Sequence, residues 1–172
     1  MIADIFKKLV ISGADKTSRK QLTAPMSSRS YHVFIFVHGF QASSYDMRAI
    51  KNQVSLLLNR SLCLCSTSNE NNTEGSIENM GLNLANEVKK FVQEWCLSRD
   101  GKNLLLNKIS FIGHSLGGLI IRSALPHLEM YKDHFHGYMT LGSPHLGYMY
   151  NSTYLFNTGM WVLKSLRKSE CL

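Results

Sequence analysis

The 172-residue sequence has no long hydrophobic run. Its longest strongly apolar stretch is Val33 to Val37, far short of the roughly 20 residues that cross a bilayer, so no transmembrane segment is expected. Cysteine is sparse: Cys63, Cys65, Cys96 and Cys171. Their spacing matches no zinc or redox motif. Cys63 and Cys65 lie two apart in a predicted strand and so share a face. Buried free thiols in a reducing compartment are the expectation, which points to the cytoplasm. A secretory signal is also missing, because Asp4, Lys7 and Lys8 interrupt the apolar residues of the N-terminus and no small-residue cleavage site follows. The Asn-x-Ser/Thr triplets at Asn59, Asn71 and Asn151 are therefore expected to be chance matches. No stripe of basic and aromatic residues and no Cys/His finger spacing supports nucleic-acid recognition. No metal-ligand constellation is apparent, so neither a metal nor another cofactor is expected.

The net charge is +7. Residues 1–30 hold six Lys/Arg against Asp4 and Asp15, leaving thirteen bases against ten acids in residues 31–172. The excess thus sits in a basic, partly flexible leader rather than in the body, and such a leader is more often solvated than nucleic-acid binding. Ile2, Ile5, Phe6 and Leu9 can line one face of a short helix. That helix is read as packed, with a peripheral membrane contact as the functional alternative.

From residue 31 onward, strand-like and helix-like segments alternate. Tyr31–Phe40 is β-branched, aromatic and apolar almost throughout, and predicts a buried parallel strand. A helix follows, with Ser43 or Ser44 as cap and Met47, Ile50, Val54 and Leu57 or Leu58 at helical spacing. Ser61–Ser68 predicts a second strand. After the polar loop "NENNTEGS" comes the longest helix, about Ile77 to Cys96, with Ile77, Met80, Leu84, Val88, Phe91, Val92 and Trp95 as its apolar stripe. "KISFIG" (Lys108–Gly113) predicts a third strand, Leu116 to about Leu128 a helix, and His136–Pro144 a fourth strand. The last 25 or so residues predict a loop and a helix. This alternation implies an α/β fold, a mostly parallel sheet flanked by helices.

Gly113-His114-Ser115-Leu116-Gly117 fits G-x-S-x-G. The bare pattern says little, but it joins a buried strand directly to a helix, as a nucleophile elbow requires. Gly113 and Gly117, with Gly118 behind them, leave room for a tight turn that lifts Ser115 above the carboxyl edge of the sheet. A phosphate-binding P-loop is excluded because no Lys follows the glycines. "HGFQAS" after the first strand is no dinucleotide fingerprint. His38-Gly39-Phe40 ends the strand expected beside the elbow strand. An oxyanion hole needs two N–H groups, and Phe40 and Leu116 are the candidates. His38 is read as bracing this loop by hydrogen bonding, Gly39 as allowing its turn, and His114 as packing beneath the elbow.

"FVHGF", "IGHSLGG" and "LGSPHLG", in this order and spacing, resemble α/β-hydrolases of the lipase and serine esterase group. "HVFIFVHGFQASSYDMRAIKNQVS" and "NSTYLFNTGMW" resemble more closely the serine esterase (lipase-like) domain family found at the carboxyl end of some large eukaryotic proteins. The resemblance covers about residues 31–170. It implies the α/β-hydrolase fold, Ser115 as nucleophile, Phe40 and Leu116 as oxyanion donors, His145 as a site-wall residue, and a lipid or other acyl ester as substrate.

In this fold the triad runs Ser, then Asp or Glu, then His. After Pro144 the 172-residue chain holds one acid, Glu170, and one histidine, His145. His32, His134 and His136 begin or precede strands, at the opposite edge from Ser115, and His127 ends a helix directed away. The acid and histidine of the triad, with the carboxyl-terminal strands, are therefore expected to be absent from this chain. An unassisted serine is a poor nucleophile, so weak activity is expected of the chain alone. The competing reading is a non-catalytic binding or regulatory module on a hydrolase fold.

Overall fold

In the computed structural model, the structure describes residues 30–96 and 105–146. The leader, Cys171 and the expected carboxyl-terminal loop and helix lie outside the described residues. Among the described residues, four strands form one parallel sheet: β1 (Tyr31–Val37), β2 (Ser61–Cys65), β3 (Leu106–His114) and β4 (Phe135–Leu141), in the order β2-β1-β3-β4. Between them run α1 (Arg48–Leu57), α2 (Ile77–Cys96) and α3 (Leu116–Ala124). A short 3-10 turn, Ser44–Met47, leads into α1, and a longer 3-10 run, Leu125–His134, follows α3.

β1 is central and β-branched, and its residues Val33 to Val37 are all buried. Alternation sends Val33, Ile35 and Val37 to the face packed by α2 and α3, where they meet Met80, Leu84, Val88, Ile120 and Ile121. The other face carries Phe34 and Phe36, with Cys63 and Cys65 beside them on β2. Each such side chain, fully buried, contributes about 1.5–3 kcal/mol, which makes this two-sided strand the anchor of the domain.

Several element ends differ from expectation. β1 stops at Val37 because the chain must turn through His38 and Gly39 to leave the sheet; the apolar Phe40 lies in that turn. α3 is α-helical only to Ala124, since Pro126 has no N–H for the helical ladder and the chain tightens into 3-10 geometry. In α2 the stripe is buried at Met80, Leu84, Val88 and Val92, but Trp95 is 59 % exposed. Cys96 is buried in its place, and burial pushes its thiol up to about 11. Cys63, Cys65 and Cys96 are free thiols.

At the amino edge of the sheet, His32 Nε2 shares a hydrogen bond of 2.8 Å with Ser110 Oγ and its ring stacks on Phe34. Burial, reinforced by the nearby His136 and Lys108, lowers the His32 pKa to about 4. Among the described residues, no helix is long and apolar enough to cross a membrane.

Candidate active site

The strand order creates one special place. β1 is followed in the chain by β2 on one side and, after α2, by β3 on its other side. Connections leaving neighbouring strands in opposite directions open a crevice at their carboxyl ends, where ligands of α/β sheets bind. The segments meeting there are the loop after β1, the loop after β2, and the turn from β3 into α3.

That turn is a single residue. Ser115 stands between the last residue of β3 and the first of α3, with φ 51° and ψ −122°. A non-glycine residue in such a conformation costs about 1–3 kcal/mol and persists only where its surroundings enforce it. Ser115 N–H donates to Leu141 O at 2.9 Å, tying the turn to the end of β4, and Gly118 N–H donates back to Ser115 O at 3.2 Å. The glycines do the rest by absence of a side chain. A Cβ on Gly113 would meet Gly118 N at 2.6 Å; one on Gly117 would meet His38 O at 2.6 Å and Val37 O more closely still. On Gly118 it would strike Ser143 Oγ and Thr140 Cγ2. α3 can therefore run this close to β1, β3 and β4 only with glycine at all three positions.

The loop after β1 closes directly on the serine. A Cβ on Gly39 would lie 2.9 Å from Ser115 Cβ and 3.4 Å from Ser115 Oγ. His38 is buried, and its Nδ1–H donates to Gly39 O at 3.1 Å within this loop. Phe40 packs its ring against the core. The amides of Phe40 and Leu116 have no acceptor among the hydrogen bonds of the described residues. Leu116 also opens α3, where the helix dipole favours negative charge.

The loop after β2 grips the loop after β1, a feature the sequence reading missed. Gln41 N–H donates to Thr73 Oγ1 at 2.9 Å, Gln41 Nε2 to Glu74 Oε1 at 2.8 Å, and Ser44 N–H to Glu70 Oε1 at 2.7 Å. Hydrogen bonding from Ser44 holds the Glu70 carboxyl below its ordinary range, with His38 and Arg48 adding to the effect. The gripping loop is fastened in turn to α2. Asn69 Nδ2 donates to Met80 O, Asn83 Nδ2 donates to Asn69 Oδ1, and Glu87 accepts from Ser66 Oγ, Thr67 N–H and Thr67 Oγ1. The signal that could have revealed this was the density of Ser, Thr, Asn and Glu just past a strand at the carboxyl edge.

The histidines divide by edge. His114 ends β3 exposed, not packed beneath the turn: Gly113 faces α3, so alternation turns His114 to the opposite face. His145 follows β4 at the carboxyl edge, exposed, sharing a hydrogen bond of 3.1 Å with Thr140 Oγ1 and lying edge-on to the Tyr138 ring. His32, His134 and His136 sit at the amino edge, His134 donating from Nδ1 to Asn107 O. Among the described residues, no histidine hydrogen-bonds Ser115 Oγ.

Among solved structures, the chain is similar to the Bacillus licheniformis lipase BlEst2. In its mature form the identity is 20% and the TM-score 0.50, covering 79% of this chain and 52% of that one. In its propeptide form they are 21% and 0.49, covering 72% of this chain and 24% of that one. The present chain thus spans about half the length of the mature lipase. The likeness is one of fold, and it agrees with the parallel sheet flanked by helices: this is an α/β-hydrolase fold. The family described as "Putative serine esterase (DUF676)" matches residues 27–172, and this chain belongs to it.

Proposed function

We propose that this protein is a serine hydrolase of the esterase or lipase type, acting on a lipid-like acyl ester at the cytoplasmic face of a membrane or in solution. The observation that carries the reading is the Ser115 backbone. A serine held at φ 51° and ψ −122° between a buried strand and a helix, at the crevice beside β1, has the form of a nucleophile elbow. Ser115 Oγ attacks the acyl carbonyl while its proton passes to a base. The carbonyl oxygen becomes an oxyanion facing the Phe40 and Leu116 amides. The alcohol then leaves with a proton, and water releases the acid from the acyl-enzyme. Among the described residues no histidine hydrogen-bonds Ser115 Oγ, and the base is assigned to a group outside them. His145 forms part of the site wall.

The same lack of a histidine at Ser115 favours a second reading, an acyl-binding or regulatory module without turnover. A fluorophosphonate probe separates the two. The hydrolase reading expects one covalent label on folded protein in which the base is present, lost in Ser115→Ala. Such protein staying unlabelled, or a Ser115→Ala variant that labels equally, refutes it.

A further inference from the structure

We propose that Thr73 is a positioning residue for the acyl-transfer site: its hydroxyl, by accepting the Gln41 amide, fixes the turn that aims the Phe40 N–H. This rests on the reading of Phe40 as an oxyanion donor.

Four observations converge on Thr73. Gln41 has φ 51°, a left-handed backbone that a non-glycine residue adopts only under constraint. The constraint nearest Phe40 is the 2.9 Å bond from Gln41 N–H to Thr73 Oγ1, which holds the peptide plane joining Phe40 to Gln41. Thr73 is itself 4 % exposed, so the acceptor side of this part-buried bond is largely kept from water. Its loop does not float, because Asn69, 1 % exposed, pins it to Met80 O and Asn83 on α2.

Phe40 is thereby held from two directions. Its ring packs on the core, and the peptide that follows it is tied through Thr73 to α2. The contacts of Glu74 and Glu70 are to the Gln41 side chain and to Ser44, farther from the Phe40 amide. An oxyanion donor works because its dipole is aimed before charge develops. A hydroxyl that enforces the aim affects the reacting state more than substrate binding.

The test compares Thr73→Val, which keeps the shape and loses the acceptor, with Thr73→Ser, which restores it. Fluorophosphonate labelling rate and turnover of a p-nitrophenyl ester are measured on protein in which the base is present. Thr73→Val is expected to lower both rates about 10- to 100-fold, the scale of a small misplacement, with KM nearly unchanged. Thr73→Ser is expected to recover most of the rate. Wild-type chain that labels, with Thr73→Val labelling equally fast, overturns the positioning role and leaves the hydrolase reading standing. A folded wild-type protein that carries the base and never labels overturns both. Amide hydrogen exchange on the wild type adds a measurement that needs no variant to fold. Slow exchange at Gln41 is expected, and exchange at the free-peptide rate overturns the proposal.

Discussion

Replacing Gly117 with alanine adds one methyl group at the tightest approach of α3 to the sheet. The new Cβ would stand 2.6 Å from His38 O and nearer to Val37 O. Carbon–oxygen contacts of this kind normally lie at about 3.3–3.6 Å, so the helix and β1 must part by roughly 0.7 Å or more. Neither obstacle is a flexible side-chain end: both oxygens belong to main chain at the end of β1, behind residues that are almost fully buried. The helix must lift instead, and it carries Leu116, Ile120 and Ile121, all buried, away from their partners. Overpacking a core costs about 1–3 kcal/mol, and a clash with main chain belongs at the upper end. Alanine recovers about 1 kcal/mol through its better helix propensity. The net loss is about 2 kcal/mol, which lowers the melting temperature of a domain this size by about 4–8 °C. Circular dichroism melts of wild type and Gly117→Ala measure it. Gly75→Ala is the control, because a Cβ there would touch only the Asn72 side chain. A Gly117→Ala protein melting within about 2 °C of wild type, on that same scale, would show that α3 does not sit against β1 as described.

The remaining predictions concern other parts of the fold. His32 has a pKa near 4 when folded against 6.5 ordinarily, so the unfolded chain takes up its proton first. The His32 contribution to stability is full above pH 6.5, is lost as the pH drops toward 4, and changes no further below that. The shift sets a ceiling of about 3 kcal/mol, and solvent around this half-buried ring reduces it to about 1–2 kcal/mol. Urea midpoints across that range should show the loss, and His32→Gln should flatten it; an equally steep profile in the variant contradicts the assignment. Ser115→Gly should be about 1 kcal/mol more stable than Ser115→Ala, since only glycine relieves the strained backbone. A denaturant series giving the reverse order would remove the case for strain. Glu87→Ala should cost about 1–2 kcal/mol by removing the charged acceptor of buried Ser66 and exposed Thr67, while a change below about 0.5 kcal/mol would mean that Ser68 and water replace it.

The sequence reading succeeded where burial and periodicity agree. α2 was legible end to end because its apolar spacing persists over five turns, and the apolar core of β1 because a two-sided strand shows no polar alternation. The loop glycines and Ser115 were legible because a strand-to-helix turn without room for side chains needs glycine at fixed offsets. Element ends were harder. Phe40 looks like strand by composition, yet its ring packs on the core from a turn. Trp95 looks like core by spacing, yet the buried line of the helix runs through Val88, Val92 and Cys96 and leaves Trp95 to one side. The grip of Thr73, Glu74 and Glu70 on the loop after β1 left only a density of polar residues past β2 as its signal. Side-chain hydrogen bonds between loops leave no period, and "NENNTEGS" reads the same whether it is solvated or partly buried. His114 was misplaced for a simpler reason: the motif names it a neighbour of Ser115, while strand alternation decides which way it faces.

The close approach of Gly39 to Ser115 joins segments that are distant in sequence, and the Ser115 amide is tied besides to the end of β4. The bend at Ser115 is therefore expected to form only once these strands have paired. A chain caught partway through folding offers an ordinary, unstrained hydroxyl. Chemical reactivity at this one oxygen would then double as a report on maturation, silent in nascent or misassembled molecules and audible only in finished ones.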